Sequence, residues 1–176
     1  MICNMSILIA KDLVKIYEGR NIVDNISLHV KSREVVGLLG PKNSGKTTVC
    51  YMLIGTVPIS KGKIILNKND INMLSLYNRN QLGVGYLPKE PSIFRNLNVY
   101  NNIFSILQIR NDIQEGKHHI YANNLIKELH IEHLISNMGK ELFGINRKIV
   151  EIARTLAANP KFIIIDNHLQ ILIKLQ

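Results

Sequence analysis

With 176 residues, 46% of them hydrophobic and 6% aromatic, the chain has material for one domain with an aliphatic core. Its net charge of +9 comes from scattered Lys and Arg, without a dense basic block or a stacking cluster, which argues against a nucleic-acid face and for a solvated surface near an anionic ligand. Two cysteines, Cys3 and Cys50, exclude a disulfide framework; no signal peptide is legible and no apolar run reaches the ~18 residues of a membrane helix, so any membrane link runs through a partner.

In chain order, Ser6–Val14 and Ile22–Val30 read as strands around a turn at Glu18-Gly19. Val35–Leu39 is a short continuous apolar run, the pattern of a strand buried on both faces of a parallel sheet. Lys46–Ile54 reads as a helix stopped near Gly55 and Pro58. Lys63–Leu66 and Val84–Leu87 are further strands, the second ended by Pro88. Asn98–Arg110 and Ile120–Leu129 have helical periodicity, with Val99, Ile103, Ile106 and Leu107 on one face and Leu125, Ile126 and Leu129 on another. Lys148–Ala158 is a third such helix, ended by Asn159-Pro160. Phe162–Ile165 is a buried strand closed by Asp166. Strands alternating with helices predict an α/β fold with a parallel sheet.

Between the Val35–Leu39 strand and the helix at Lys46 lies Gly40-Pro41-Lys42-Asn43-Ser44-Gly45-Lys46-Thr47, which fits G-x-x-x-x-G-K-[ST]. Gly40 and Gly45 let the backbone curl so that its N–H groups converge, and a helix N-terminus adds to them. Lys46 reaches the outer phosphates of a nucleotide and the Thr47 hydroxyl meets Mg²⁺. The phosphate loop extends through Thr48. A chance match in a chain of this length has odds of about one in a hundred, before strand-loop-helix context is counted. The second half of such a site is an acidic residue ending another buried strand, and Asp166 supplies it, positioning Mg²⁺ through water.

With both halves in place, the chain resembles the ATP-binding subunits of ABC transporters from about Ser6 to Asp166. It is similar in particular to the ATPase subunits of lipopolysaccharide export. Gly85-Tyr86-Leu87-Pro88, Ser92-Ile93-Phe94-Arg95, Leu107-Gln108-Ile109-Arg110, His130-Ile131-Glu132-His133-Leu134 and Ala157-Ala158-Asn159-Pro160-Lys161-Phe162 carry that likeness. The resemblance implies a P-loop NTPase fold with a parallel core sheet, antiparallel N-terminal strands and a helical subdomain. On that plan, residues 1–90 hold the β part and phosphate loop, 91–158 the helical part, and 159–176 the Asp166 strand and a tail. It implies ATP and Mg²⁺ as ligands, adenine stacked on Tyr17, a sandwich dimer of two copies, and membrane permease subunits met through Phe94 and Arg95. It places the protein at the cytoplasmic face of an inner membrane, without direct insertion. His130 and His133 at i, i+3 are too few for a metal site, and His118-His119 reads as a solvated face.

Three motifs depart from the family pattern. Lys89 stands where the family has a Gln that reaches Mg²⁺ and the attacking water, and an ammonium has no lone pair for a cation. The signature Leu-Ser-Gly-Gly reads Leu142-Phe143-Gly144-Ile145, without the hydroxyl and with a branched side chain where backbone approaches phosphate. Asn167 replaces the Glu that positions or deprotonates water, and general-base work is commonly worth ~10²–10⁴-fold in rate. Hydrolysis is therefore expected to be weak or absent. The family also continues well past position 176, so the chain reads as C-terminally truncated. Its core sheet would lack a central strand, which Leu169–Leu175 cannot replace as a parallel strand because a crossover needs a dozen or more residues. That tail is expected to be loose, paired differently from the family strand or aggregation-prone. Three readings stay open: a transporter subunit with impaired turnover, a non-hydrolysing nucleotide-binding scaffold, and a decayed fragment without activity.

Overall fold

A computed structural model of the chain describes residues 6–31, 34–166 and 170–174, the last five by their backbone. Cys3 and Asn167 lie outside the described residues. The chain divides into two compact units, one running up to Lys89 and resuming at Pro160, the other spanning Glu90–Asn159.

The first unit opens with β1 (Leu8–Tyr17) and β2 (Arg20–Val30), an antiparallel hairpin. Glu18 and Gly19 both take positive φ, 47° and 77°, the two-residue turn whose twist suits a hairpin. β3 spans Val35–Leu38 and α1 Lys46–Ile54. β4 (Lys61–Leu66) pairs with β1, and the short β5 (Asn69–Asp70) with β4, giving an antiparallel sheet in the order β2-β1-β4-β5. α2 (Leu76–Gln81) and β6 (Val84–Leu87) follow, and β7 (Phe162–Ile165) and β8 (Gln170–Lys174) come from the far end of the chain. The second sheet has the order β3-β8-β7-β6. α1 buries Val49, Cys50, Met52, Leu53 and Ile54 in a core shared with residues of both sheets, including Leu8, Ile64, Val84 and Phe162.

Two expectations need correction. The sheet has no central gap. β8 lies between β3 and β7 and runs antiparallel to both, with Leu38 opposite Gln170 and Ile165 opposite Ile171. The limit on parallel crossovers holds, but an antiparallel neighbour of β7 needs only a short reversal. The tail is paired, and in the direction opposite to the parallel strand that the resemblance implied. Nor is β3 buried on both faces. Val36 and Leu38 join the core while Val35 is 66% exposed, so a continuous apolar run here has one open face. β6 and β7 do run parallel, Val84 opposite Phe162 and Leu87 opposite Ile165.

The second unit is helical. α3 spans Val99–Gln108, α4 His118–Glu128 and α5 Gly144–Ala157. Asn98 caps α3 by accepting from the Asn101 N–H at 2.7 Å. Val99, Ile103 and Leu107 of α3 and Val150, Ala153 and Ala157 of α5 meet in its core. His118 and His119 do not form a purely solvated face: the His119 ring stacks on Phe104, centroids 4.5 Å apart, and its Nδ1 lies 2.6 Å from the Tyr100 hydroxyl. Among the described residues, no helix is long and apolar enough to cross a membrane.

One buried cation braces α1. The Arg79 guanidinium, 2% exposed, donates to the carbonyls of Met52 and Leu53 at 2.6 and 2.8 Å, and to those of Leu74 and Asn72 at 2.9 Å each. It satisfies the orphan carbonyls at the end of α1 and ties them to the segment before α2. Arg79→Met removes the guanidinium donor from four carbonyls, of which that of Met52 keeps a partner in the Gly55 N–H at 3.3 Å. The expected cost is about 3 kcal/mol, read as a lower urea midpoint with an unchanged slope.

Candidate functional site

The loop after β3 is shaped by its glycines. Gly45 caps α1 at φ 82°, and a Cβ there would run into the carbonyl oxygen of Ile22. Asn43 also takes a positive φ, 65°. The first intrahelical bond runs from the Val49 N–H to the Gly45 carbonyl at 3.0 Å, so the N–H groups of Lys46, Thr47 and Thr48 face out of the helix end. With no acidic side chain in the first turn, nothing on the helix itself neutralises that end. Pro41, Lys42, Asn43 and Ser44 are exposed, so the loop is open to solvent. The Lys46 ammonium folds back over the loop, donating to the carbonyls of Gly40 at 2.9 Å and Pro41 at 2.5 Å.

Asp166 stands one residue beyond β7. Its backbone N–H donates to the Leu87 carbonyl at 3.0 Å, which fixes it to the end of β6. Its side chain is buried, and each oxygen meets a hydroxyl. Thr47 Oγ1 donates to Oδ1 at 3.2 Å and Tyr86 Oη to Oδ2 at 3.4 Å. Burial, and then the Asp166 carboxylate, push the Tyr86 hydroxyl well above its ordinary range, so it stays a proton donor. Burial and the same carboxylate push the Cys50 thiol up to about 12. Cys50 is thus an inert apolar filler under the site.

The donor set fits a small hard cation. A hydroxyl and a carboxylate oxygen converge, and Mg²⁺ takes one or two such protein oxygens and fills its shell with phosphate and water. Among the described residues no group of three or more His, Cys, Asp or Glu could hold a metal by itself. Thr47 and Asp166 are the residues that could hold Mg²⁺, and the loop from Gly40 to Thr48 could hold phosphates.

Other residues singled out in the sequence fall as follows. Lys89 is exposed two positions past the end of β6, at the edge of the sheet where Asp166 closes β7 and the loop closes β3. Tyr17 ends β1, 45% exposed, opposite Arg20 across the hairpin turn. In the helical unit, Phe94 and Arg95 are exposed on a loop held from behind. Asn102 accepts from the Phe94 N–H and donates to the carbonyls of Phe94, Leu97 and Asn98, and the Arg154 guanidinium lies 4.1 Å from the Phe94 ring centre. Phe143 and Ile145, 74% and 72% exposed, flank the first residue of α5, and no side-chain hydrogen bond caps that helix. His130 and His133 are exposed.

Sequence reasoning missed two contacts, that of Tyr86 with Asp166 and that of Lys15 with Tyr17. Tyr86 lay inside the motif Gly85-Tyr86-Leu87-Pro88, and its place near the end of a strand beside β7 was the available signal. Lys15 packs its ammonium 4.8 Å from the Tyr17 ring centre, and a lysine two residues before an aromatic carries no pattern by itself.

Residues 23–170 match the ABC transporter family. The chain is 52% identical over 162 residues to the lipopolysaccharide export system ATP-binding protein LptB of Escherichia coli K12, covering 92% of this chain and 67% of that protein. It is 50% identical to the LptB of Haemophilus influenzae with the same coverage. Among solved structures it is similar to MJ1267, an ATP-binding cassette of an ABC transporter in its ADP conformation. That match has a TM-score of 0.76 and 24% identity and covers 90% of this chain and 67% of that one. A second is cbiO1 of Clostridium perfringens, part of the ABC transporter complex cbiONQ, with a TM-score of 0.78, 24% identity and coverage of 90% and 64%. At such identity the structural likeness speaks for the fold alone.

Two outcomes are expected at the site. Gly45→Ala forces an L side chain into a positive φ and against the Ile22 carbonyl, and urea unfolding should show a loss of at least ~2 kcal/mol. The Cys50 thiol is held protonated in the folded chain up to about 12, whereas an unfolded thiol ionises near ~8.5. The folded pKa is the higher one, so this stabilisation is complete below ~8.5 and lost as pH rises towards 12. Cys50→Ala should remove up to ~1.4 kcal/mol per pH unit from the alkaline slope of stability across that window, measured by urea titrations at stepped pH.

Proposed function

The chain belongs to the ABC transporter family, and on that premise we propose that it is the ATP-binding subunit of a lipopolysaccharide exporter with weak hydrolysis. The observation that carries the nucleotide reading is the meeting of Thr47 with Asp166 at the mouth of the phosphate loop. The lipopolysaccharide reading rests on the names of the LptB relatives.

In this reading the backbone N–H groups of Lys46, Thr47 and Thr48 at the end of α1 bind the phosphates, where an anion completes unsatisfied donors. Lys46 exchanges its two loop carbonyls for outer phosphate oxygens, and the neighbouring ammonium of Lys89 adds positive charge at the same sheet edge. Thr47 and Asp166 would hold Mg²⁺, which when bound would supply neutralising charge for the phosphates, and Tyr86 fixes the Asp166 carboxylate. Tyr17 offers a ring to the adenine base.

Turnover is where the side chains fall short. The Asn167 amide can hold a water but takes no proton at neutral pH. Lys89 cannot coordinate a cation. Phe143 offers no hydroxyl to the nucleotide of a facing copy, and Ile145 puts a branched chain where that backbone would close on phosphate. The protein acts as a pair of copies beneath permease subunits, which meet the Phe94–Arg95 loop, at the cytoplasmic face of an inner membrane. A second reading, a nucleotide-binding scaffold without turnover, draws on these same substitutions beside an intact Lys46, Thr47 and Asp166.

A melt of the purified chain tests binding. Saturating Mg-ATP, at about 100 times its dissociation constant, should stabilise by ~2.7 kcal/mol, a rise of roughly 5–11 °C, and Lys46→Ala should abolish the rise. The absence of any cooperative transition would overturn the proposal in favour of a decayed fragment. Steady-state phosphate release with permease subunits present tests turnover: a slow rate lost in Lys46→Ala is expected. Rates at the level of Lys46→Ala favour the scaffold, and fast Lys46-dependent release sinks the claim of weak hydrolysis.

A further inference from the structure

Lys15 is an unusual place to put a charge. The residue is only 9% exposed, and its ammonium donates to the Pro58 carbonyl at 2.8 Å while lying 4.8 Å from the centre of the Tyr17 ring. Its partners are a neutral carbonyl and a ring, unlike the carboxylates that Arg110 and Lys148 meet in Asp112 and Glu151. It reaches this position because β1 is irregular there: the register with β2 shifts between Leu13 and Lys15 and again between Lys15 and Ile16. Such irregularities re-aim a side chain. A Met would fill the space without the cost of desolvating an ammonium, so packing alone leaves the charge unexplained.

The other partner is the ring. Tyr17 is 45% exposed, and the Lys15 ammonium lies over its ring. The cation draws ring electron density towards itself, leaving the opposite face less negative towards an electron-rich purine. It also holds the ring in one orientation before a ligand arrives, which lowers the ordering cost of stacking.

We infer that Lys15 is a positioning residue for nucleobase recognition, orienting and polarising Tyr17 so that its ring stacks on adenine. The inference rests on the reading of Tyr17 as the base platform. The consequence is selective: a ligand with a base gains from Lys15, and a bare triphosphate on the same loop does not.

Calorimetric titration with Mg-ATP and with Mg-tripolyphosphate tests this in five proteins: the unaltered chain, Tyr17→Ala, Lys15→Met, Lys15→Gln and Lys15→Arg. Met keeps the packing, Gln keeps a donor for the Pro58 carbonyl, and Arg keeps the charge. Lys15→Met and Lys15→Gln are each expected to weaken ATP about threefold to tenfold and leave tripolyphosphate unchanged. Lys15→Arg should retain the original ratio of the two affinities. Equal weakening of both ligands, the result of a merely structural role, overturns the inference, as does an unchanged ratio in Lys15→Gln while Tyr17→Ala lowers it. An unchanged ratio in Tyr17→Ala removes the base-platform reading itself, and the inference with it.

Discussion

A hydroxyl and a buried carboxylate, 3.2 Å apart and separated by 119 residues of chain, set the terms for the first unit. Thr47 is in the first turn of a helix and Asp166 is at the end of a strand, so neither can move without its element. For the two to meet, β3 and β7 must point the same way and end at the same edge, and α1 must start where β3 stops. β8, antiparallel to both, keeps that common direction while filling the space between them. The Arg79 brace at the far end of α1 and the Gly45–Ile22 approach at its near end hold the helix along the same line.

The carboxylate has hydroxyls on both oxygens, and this decides what its burial means. An isolated buried carboxylate would be costly. Here Tyr86 and Thr47 donate to it, and Cys50 beneath remains a neutral thiol. The polar groups of the site are therefore preorganised by the fold. The signature segment in the other unit contrasts with this: its side chains around the start of α5 are Phe143 and Ile145, apolar and open to water, where polar donors would suit a phosphate.

The phosphate loop and Asp166 were legible in the sequence because their information is local. A glycine-spaced loop between an apolar run and a helix, and an acid at the end of Phe162-Ile163-Ile164-Ile165, need no knowledge of the rest of the chain. The place of β8 is not legible: the sequence excludes a parallel return and allows a pairing unlike the family strand, but which strands it joins, and in which direction, is decided by neighbours rather than by composition. β3 looked doubly buried because Val and Leu carry no mark of which face stays open. α2 was unread: Leu76-Tyr77-Asn78-Arg79-Asn80-Gln81 has no apolar stripe, and what secures it is the Ser75 cap and the buried guanidinium. Lys15 and Tyr86 were missed for a related reason, since each acts through one contact that only the assembled strands create.

The placement of β8 bears on the order in which the molecule assembles. Its pairing with β7 is a local reversal, which a chain can sample quickly, but its pairing with β3 closes a loop of more than a hundred residues. Long-range strand pairing is slow because the entropy of closure is lost before the contacts form. The β1–β2 hairpin and the helical unit consist of nearer neighbours and can form earlier. The curl of the phosphate loop is likewise encoded locally, yet its acidic counterpart arrives only when β7 and β8 dock on β3. The meeting of Thr47 with Asp166 would then belong to the finished sheet alone, and a nascent or partly unfolded chain would carry the loop without its carboxylate.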